Sequence, residues 1–261
     1  MFRQQFFKIL LPGRKIVKII TCIPARYGSV RFPGKVLAKD TGKYLIQHVW
    51  EKARGAKLPD RVIIATDGRP VLEAAKSFGA ECVLTSPDLQ SGTDRVGAAV
   101  KDLNVDIVIN LQGDEPEIKS EYIDVLAKLM LDNPDYQIGT IAAPFEDTSQ
   151  ISNPNIVKVI TDSNGCAIYF SRSVIPYDRE SAGVGKVEQY LRHLGIYAYK
   201  KDFLLKFTGL PQSRLEQIEK LEQLRAIENG IKIIVGIVES GTEGIDTAEQ
   251  YAEFVKRYNK K

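Results

Sequence analysis

The sequence predicts an α/β fold: a mostly parallel sheet with helices on both faces and an antiparallel addition in its second half. Three observations carry this. Continuous apolar runs recur at residues 16–23, 61–66, 81–84 and 105–111, the pattern of strands covered on both faces. Segments with helical apolar spacing lie between them, and right-handed crossovers make such strand–helix–strand units parallel. From Ile138 onward strands follow one another more closely, and Asp162-Ser163-Asn164-Gly165 is a hairpin signal.

The first strand carries Ile16, Val17, Ile19, Ile20 and Ile23, and Pro24, which has no N–H, is expected to stop its ladder. Arg26, Arg31 and Lys35 then alternate with Gly28, Ser29 and Gly34. Backbone amides there can approach an anion while side chains surround it, as a polyphosphate requires. A solvated loop of idle basic residues fits this spacing equally well. Residues 43–56 follow as a helix with Leu45, Ile46, Val49, Trp50 and Ala53 on one side. The strand at 61–66 ends in an Asp67-Gly68 turn before a helix over 70–78, with Val71, Leu72, Ala75 and Phe78 inward. After the short strand at 81–84, Ser91 to Arg95 opens another helix, and the strand at 105–111 runs into Gln112-Gly113-Asp114-Glu115-Pro116. The loops after Ile23, Thr66, Leu84 and Leu111 all fall at the carboxyl ends of parallel strands, where ligands bind.

In the second half, residues 138–143, 156–161, 165–170, 193–199 and 231–238 read as strands, with a polar excursion at 171–186. Ser213 and Glu216 form a capping box for one helix over 214–229, with an inward stripe of Leu215, Ile218, Leu221 and Leu224 and a stop at Gly230. Thr247 and Gln250 cap a last helix carrying Ala248, Tyr251, Phe254 and Val255. No linker marks a boundary, so residues 16–261 read as a single domain. Residues 1–15 read as an N-terminal extension, open to disorder, or a misassigned start. Pro12 and Gly13 interrupt their apolar patch well short of a membrane span; a signal peptide would need a longer unbroken apolar region, and cleavage near Ala25 would destroy the first strand.

With 44% hydrophobic and 26% charged residues over 261, the chain can bury a full core. Its net charge of +3 argues against a nucleic-acid partner or a membrane anchor. Cys22, Cys82 and Cys166 form no C-x-x-C pair and read as buried free thiols of a reducing compartment.

Asp114 is the clearest acidic candidate, because it follows a buried strand and Gly113 leaves room beside it for a ligand. Asp246, after Gly241 and Gly244, is its natural partner, since Mg²⁺ is commonly held by one or two carboxylates plus water and phosphate. Alone, Asp246 is more often a helix-start acid. Ser91, Gly92 and Arg95 fit either a base-and-ribose contact or a helix cap. Arg172 suits a bidentate carboxylate contact. His193 fits a ligand contact or a hydrogen-bonded core histidine, and His48 reads as structural.

The stretches IPARYGSVRFPGK, IATD, SGTDR, NLQGDEP, NPNIVKVI, YFSRSVIPYDR, RHLGIYAY and LEQIEKLEQLR together resemble, in order and from about Val17 to the C-terminus, the 3-deoxy-manno-octulosonate (Kdo) cytidylyltransferase family. The resemblance implies a three-layer, Rossmann-like nucleotidyltransferase fold, a homodimer, and a cytoplasmic enzyme of lipopolysaccharide biosynthesis. Such an enzyme transfers CMP from CTP to an acidic eight-carbon sugar and releases pyrophosphate. Carried onto this chain, Ala25, Arg26, Arg31 and Lys35 would hold the CTP phosphates, and Ser91, Gly92 and Arg95 would seat the cytidine. Asp114 and Asp246 would bind Mg²⁺, with Gln112, Arg172, His193, Tyr197, Glu222 and Gln223 bordering the sugar. Arg31, Lys35, Asp114 and Asp246 would be catalytic. Phe32 departs from the more familiar Leu before Pro-Gly-Lys, and a close branch of the family uses the 8-amino sugar. Synthases for sialic acid or sugar 1-phosphates, and a non-catalytic nucleotide-binding protein, are the rival readings. A dinucleotide oxidoreductase is disfavoured because the first turn lacks G-x-G-x-x-G.

Overall fold

A computed structural model describes residues 17–28 and 32–260. The N-terminal extension, Ile16, Ser29 and the phosphate-binding expectation for Arg31 lie outside the described residues. Among the described residues nine strands share one sheet. The first half supplies β1 (Ile19–Ala25), β2 (Arg61–Thr66), β3 (Glu81–Leu84), β4 (Ile107–Leu111) and β5 (Ile138–Pro144). The second half adds β6 (Lys158–Thr161), β7 (Ala167–Ser171), β8 (Leu191–Lys200) and β9 (Ile233–Ile237). The main path runs β3-β2-β1-β4-β8-β5-β9, with the β6–β7 hairpin attached to β8. Every pair on that path is parallel except those of β8, which runs antiparallel to both β4 and β5. The expected antiparallel addition is therefore a strand wedged into the sheet as well as a hairpin on its flank.

The helices are α1 (Leu45–Gly55), α2 (Arg69–Ser77), α3 (Gly92–Val100), α4 (Ser120–Asp132), α5 (Lys201–Phe207), α6 (Arg214–Glu219), α7 (Leu224–Glu228) and α8 (Ala248–Tyr258). Strand alternation divides them into two layers. Ile19 and Ile23 of β1 face a core shared with Ile46 and Val49 of α1, Val71 of α2 and Leu126 of α4. Ile20 and Cys22 face the opposite core, with Val96 of α3, Phe207 of α5 and Leu224 of α7. Each such fully buried aliphatic side chain contributes roughly 1.5–3 kcal/mol by leaving water. α8 packs through Tyr251 and Phe254 on Leu45 of α1, and Phe32 lies 5.6 Å from the Tyr251 ring, so the unfamiliar Phe before Pro-Gly-Lys fills this contact.

Several expectations need correction. Pro24 does not end β1, whose register with β2 continues through Pro24–Ala65 and Ala25–Thr66. Backbone groups of even-numbered β1 residues face β4, as Lys18 does in accepting from Ile107, and β4 pairing stops at Cys22–Asn110. The missing N–H of Pro24 therefore interrupts no ladder bond. The long helix over 214–229 is two short ones. Lys220 stands at φ +54°, the left-handed region that stops α6, and the chain turns through Leu221 before α7 begins. Arg172 takes the carbonyls of Glu219 and Lys220 left by that stop, at 2.7 and 3.5 Å, and Ile218 of the expected inward stripe is 63% exposed. α4 and α5 lay unread between strands. Cys22 and Cys166 are buried, whereas Cys82 is only half-buried. Burial pushes the Cys22 thiol up to about 12 and that of Cys82 up to about 11, so both stay protonated.

Candidate active site

The carboxyl ends of β1 and β4 open on a cavity of about 360 Å³ bordered by Pro24, Arg26, Arg95, Gly113 and Asp114. A second cavity of about 620 Å³ lies against β8 and the α6–α7 turn. Gln112 and Asp246 border both.

At the smaller cavity, Arg26 donates to the Gln90 carbonyl at 2.9 Å. Arg95 is fully buried and pairs with Asp67 at 2.9 Å, while its Nε has no partner. Ser91 caps α3 by accepting from the Asp94 N–H at 3.0 Å, so its side chain is engaged in the cap. Ala25 is buried in the β1–β2 ladder and lines neither cavity among the described residues. Gly92 borders the larger cavity. Gly113 is required for a reason other than room for a ligand: a Cβ there would stand 2.8 Å from the Pro24 carbonyl oxygen.

Asp114 and Asp246 come together at one point. The Lys35 ammonium donates to Asp114 Oδ2 at 2.7 Å, to Asp246 Oδ1 at 3.4 Å and to the Ile245 carbonyl at 2.6 Å. One buried cation thus stands between two carboxylates from distant parts of the chain, at the border of the smaller cavity. The loop carrying Asp246 is held in place by the Ile245 N–H on the Asp114 carbonyl at 2.8 Å and by Arg192, whose Nη2 donates to the Thr242 carbonyl at 3.1 Å. Gly241 lets it approach, because a Cβ there would lie 2.3 Å from Arg192 Nε. Among the described residues no three His, Cys, Asp or Glu side chains converge as a metal site, so a cation here would rest on this pair.

His193, Tyr197, Glu222, Gln223 and Gln112 all border the larger cavity. Tyr197 Oη and Gln223 Nε2 are buried there without hydrogen-bond partners, whereas Glu222 Oε1 faces the Arg225 guanidinium at 3.8 Å. Orphan polar atoms in a cavity wall are positions for a polar ligand's own groups. Arg172 is not among the described residues lining this cavity: it donates to Glu219, Lys220 and Pro154 carbonyls and serves the α6–α7 turn. Arg192 and Glu115, passed over in the sequence, do line it. Each stood beside a residue singled out, in RHLGIYAY and QGDEP, which was the available signal. Burial, reinforced by the Asp114 carboxylate, pushes the Glu115 carboxyl up to about 8 against the pull of Thr242 and Arg192.

Thr140 donates its hydroxyl to the Ile196 carbonyl at 2.7 Å and therefore accepts from His193 Nε2, 3.0 Å away, leaving Nδ1 as an acceptor. Desolvation lowers the His193 pKa from 6.5 to about 3. Between those values the unfolded chain binds the extra proton, so stability rises with pH through that window and is lost as pH falls toward the folded value. His193→Gln is expected to flatten the dependence of unfolding free energy on pH between about pH 4 and 6.5, measured by denaturant titration. An unchanged slope would show that His193 titrates normally.

The cytidylyltransferase family model matches residues 20–233. A 3-deoxy-manno-octulosonate cytidylyltransferase of Thermodesulfovibrio yellowstonii is 52% identical over 240 residues, 88% of this chain and 94% of that protein. One from Solibacter usitatus is 47% identical over 232 residues, covering 89% of this chain and 91% of that protein. Among solved structures, CMP:2-keto-3-deoxy-manno-octonic acid synthetase complexed with CTP superposes with a TM-score of 0.86 at 39% identity, covering 93% of this chain and 99% of that one. By this agreement over nearly its whole length, the chain belongs to the 3-deoxy-manno-octulosonate cytidylyltransferase family.

Proposed function

We propose that the protein transfers CMP from CTP to the anomeric hydroxyl of 3-deoxy-manno-octulosonate, forming CMP-Kdo and pyrophosphate. The observation that carries this reading is the pair of cavities meeting at Gln112 and Asp246, with two carboxylates gathered on one cation at the junction. Two substrates seated there would meet where charge must be managed. The relatives' names and the CTP complex of the related synthetase supply the identities of those substrates.

The sugar's anomeric oxygen attacks the α-phosphorus of CTP, the bond from that phosphorus to the pyrophosphate oxygen breaks, and the hydroxyl proton leaves the sugar. No covalent enzyme intermediate is required. The chain's contribution is positioning and charge. Arg26 and Arg95 border the nucleotide cavity, the resemblance adds Arg31, and Lys35 offsets charge at the junction. The donor set suits a hard divalent cation, because two carboxylate oxygens already share a cation, and Mg²⁺ commonly completes its shell with water and phosphate. Asp114 and Asp246 would hold Mg²⁺, which when bound polarises the α-phosphate and acidifies the attacking hydroxyl. Gln112, Tyr197, Glu222, Gln223 and His193 would border the sugar, and Arg192 takes the place in that wall first expected of Arg172.

Incubation with CTP, Mg²⁺ and either Kdo or its 8-amino analogue, with the product identified by mass, tests the reading. CMP-Kdo is the expected product. Preferential formation of the 8-amino product would move the enzyme to that branch, and CTP binding without turnover of either sugar would overturn the assignment.

Residues 19–237 contribute to one sheet, which supports a single catalytic domain over 16–261. No helix among the described residues is long and apolar enough to cross a membrane. In this reading the enzyme works in the cytoplasm, on the route to lipopolysaccharide, as a homodimer and without a nucleic-acid partner. Val174 packs inward near Phe145, Ile151 and Tyr190, whereas Tyr177 is 66% exposed. Light scattering is expected to give twice the chain mass, with Tyr177→Asp shifting it toward the monomer. A monomer at assay concentration would count against the dimer.

A further inference from the structure

Gln112 stands where the two cavities meet, and its amide can be turned either way unless something fixes it. Its Nε2 donates to Asn110 Oδ1 at 3.0 Å. Asn110 Nδ2 in turn donates to Thr93 Oγ1 at 3.2 Å, and the Thr93 hydroxyl donates to Glu222 Oε2 at 3.0 Å. All three bonds point the same way, from Gln112 through β4 and the first turn of α3 to a carboxyl beside the α6–α7 turn. Asn110 has no exposed surface and lines neither cavity among the described residues, whereas Thr93, 4% exposed, borders the larger one. In so dry a setting reversing one member strands two donors or two acceptors, so the members hold one another's orientation.

We propose that Asn110 and Thr93 are positioning residues whose hydrogen-bonded relay to Glu222 locks the Gln112 amide with its carbonyl oxygen turned to the substrates, selecting a hydroxyl donor at the cavity junction. The inference rests on the octulosonate-transfer reading. It adds that Gln112 acts there as an acceptor, and that its orientation is set through Asn110, which lines neither cavity among the described residues. The chemistry admits a sugar hydroxyl next to the reacting centre and disfavours a group that only accepts.

The test combines kinetics with a measurement on the free protein. Thr93→Val keeps shape and removes the hydroxyl, and is expected to raise KM for the octulosonate about tenfold, the scale of one buried bond left unmade. KM for CTP should stay within about twofold, and Thr93→Ser should rescue the sugar KM because it restores the donor. In a double-mutant cycle, Thr93→Val added to Gln112→Ala should cost nothing beyond Gln112→Ala alone. Additive losses, failure of Thr93→Ser to rescue, or an equal rise in the CTP KM would overturn the relay. Asn110→Leu gives a second break, read by NMR: the Gln112 side-chain amide protons, slow to exchange in the wild type, should exchange fast in this variant. Fast exchange already in the wild type refutes the lock. If the wild-type enzyme turns over no octulosonate, the functional reading fails, and the amide exchange still decides whether the relay holds Gln112.

Discussion

Asp114→Asn and Asp246→Asn are each expected to lower Mg²⁺-dependent turnover by at least about 100-fold, the scale of a lost charge partner at the reacting centre, with little change in fold. The two carboxylates share one ammonium, at 2.7 and 3.4 Å, yet they come from the loop after β4 and from the loop before α8. Asn preserves shape and a hydrogen-bond acceptor for Lys35, so what each substitution removes is charge. Since a cation held by both carboxylates is lost with either, the double variant should be scarcely slower than the worse single. Independent roles would multiply the losses. An Asp246 that served only to begin α8 would lose stability and keep metal-dependent turnover. Turnover against Mg²⁺ concentration and thermal unfolding of the three variants separate these cases, and near-normal activity in either single variant defeats the shared site.

The largest effect on stability is expected from Arg225→Met, at roughly 3–5 kcal/mol, the cost of stranding one member of a buried ion pair. Arg225 donates Nε to Glu216 Oε2 at 2.8 Å and Nη2 to Oε1 at 2.5 Å, and the side chains are 5% and 7% exposed. The guanidinium also lies 4.9 Å from the centre of the Phe207 ring. By contrast, Arg61–Glu81 is a close pair with side chains 45% and 42% exposed, and such surface pairs contribute about 0–1 kcal/mol. Burial is the largest single influence and works against a charged Glu216, but the Arg225 hydrogen bonds, the Ser213 N–H and the Arg225 charge together outweigh it and hold the carboxyl below its ordinary 4.5. The folded pKa is depressed, so this contribution is present above the unfolded value and lost as pH falls through the folded one. The stability gap between wild type and variant should therefore narrow in acid. Glu216→Leu added to Arg225→Met should recover much of the loss, because it removes the stranded charge. Denaturant unfolding of the single and double variants, with the wild type, at neutral and acidic pH checks both statements, and a gap under about 1 kcal/mol would place the pair with the surface ones.

What the sequence could show depended on whether a signal was local. β1, β2 and β4 were legible because strands covered on both faces leave unbroken apolar runs. α4 carried its own signal, Tyr122, Ile123, Leu126 and Met130 at helical spacing, and it went unread between two stronger motifs. The break between α6 and α7 was not legible. Helical spacing continues across Lys220, and the stop is set by Arg172, brought from β7 to satisfy carbonyls there. For the same reason the sequence assigned Arg172 to a ligand and overlooked Arg192. Two arginines at strand ends look alike until one knows which of them the backbone has already claimed. The meeting of Asp114 with Asp246 was inferable from topology, since both follow strands opening on one edge. Lys35 between them was not, because side-chain reach is not a property of spacing.

The wedged position of β8 has a consequence for the order in which the protein is made. Strands β3, β2, β1 and β4 all leave the ribosome early and can pair from contiguous chain, but the outer side of β4 then has no neighbour until residues 191–200 emerge. During that interval the nascent chain carries an unpaired edge made of fully buried residues, Ile107 to Leu111, a template for pairing with the wrong chain. The arrival of β8 closes that edge and at once recruits β5 and the β6–β7 hairpin, bringing His193 and Tyr197 into place. The part of the sheet around the smaller cavity is thus the older part of each new molecule, and the strand that begins the wall of the larger cavity is also the one that ends the nascent chain's exposed edge.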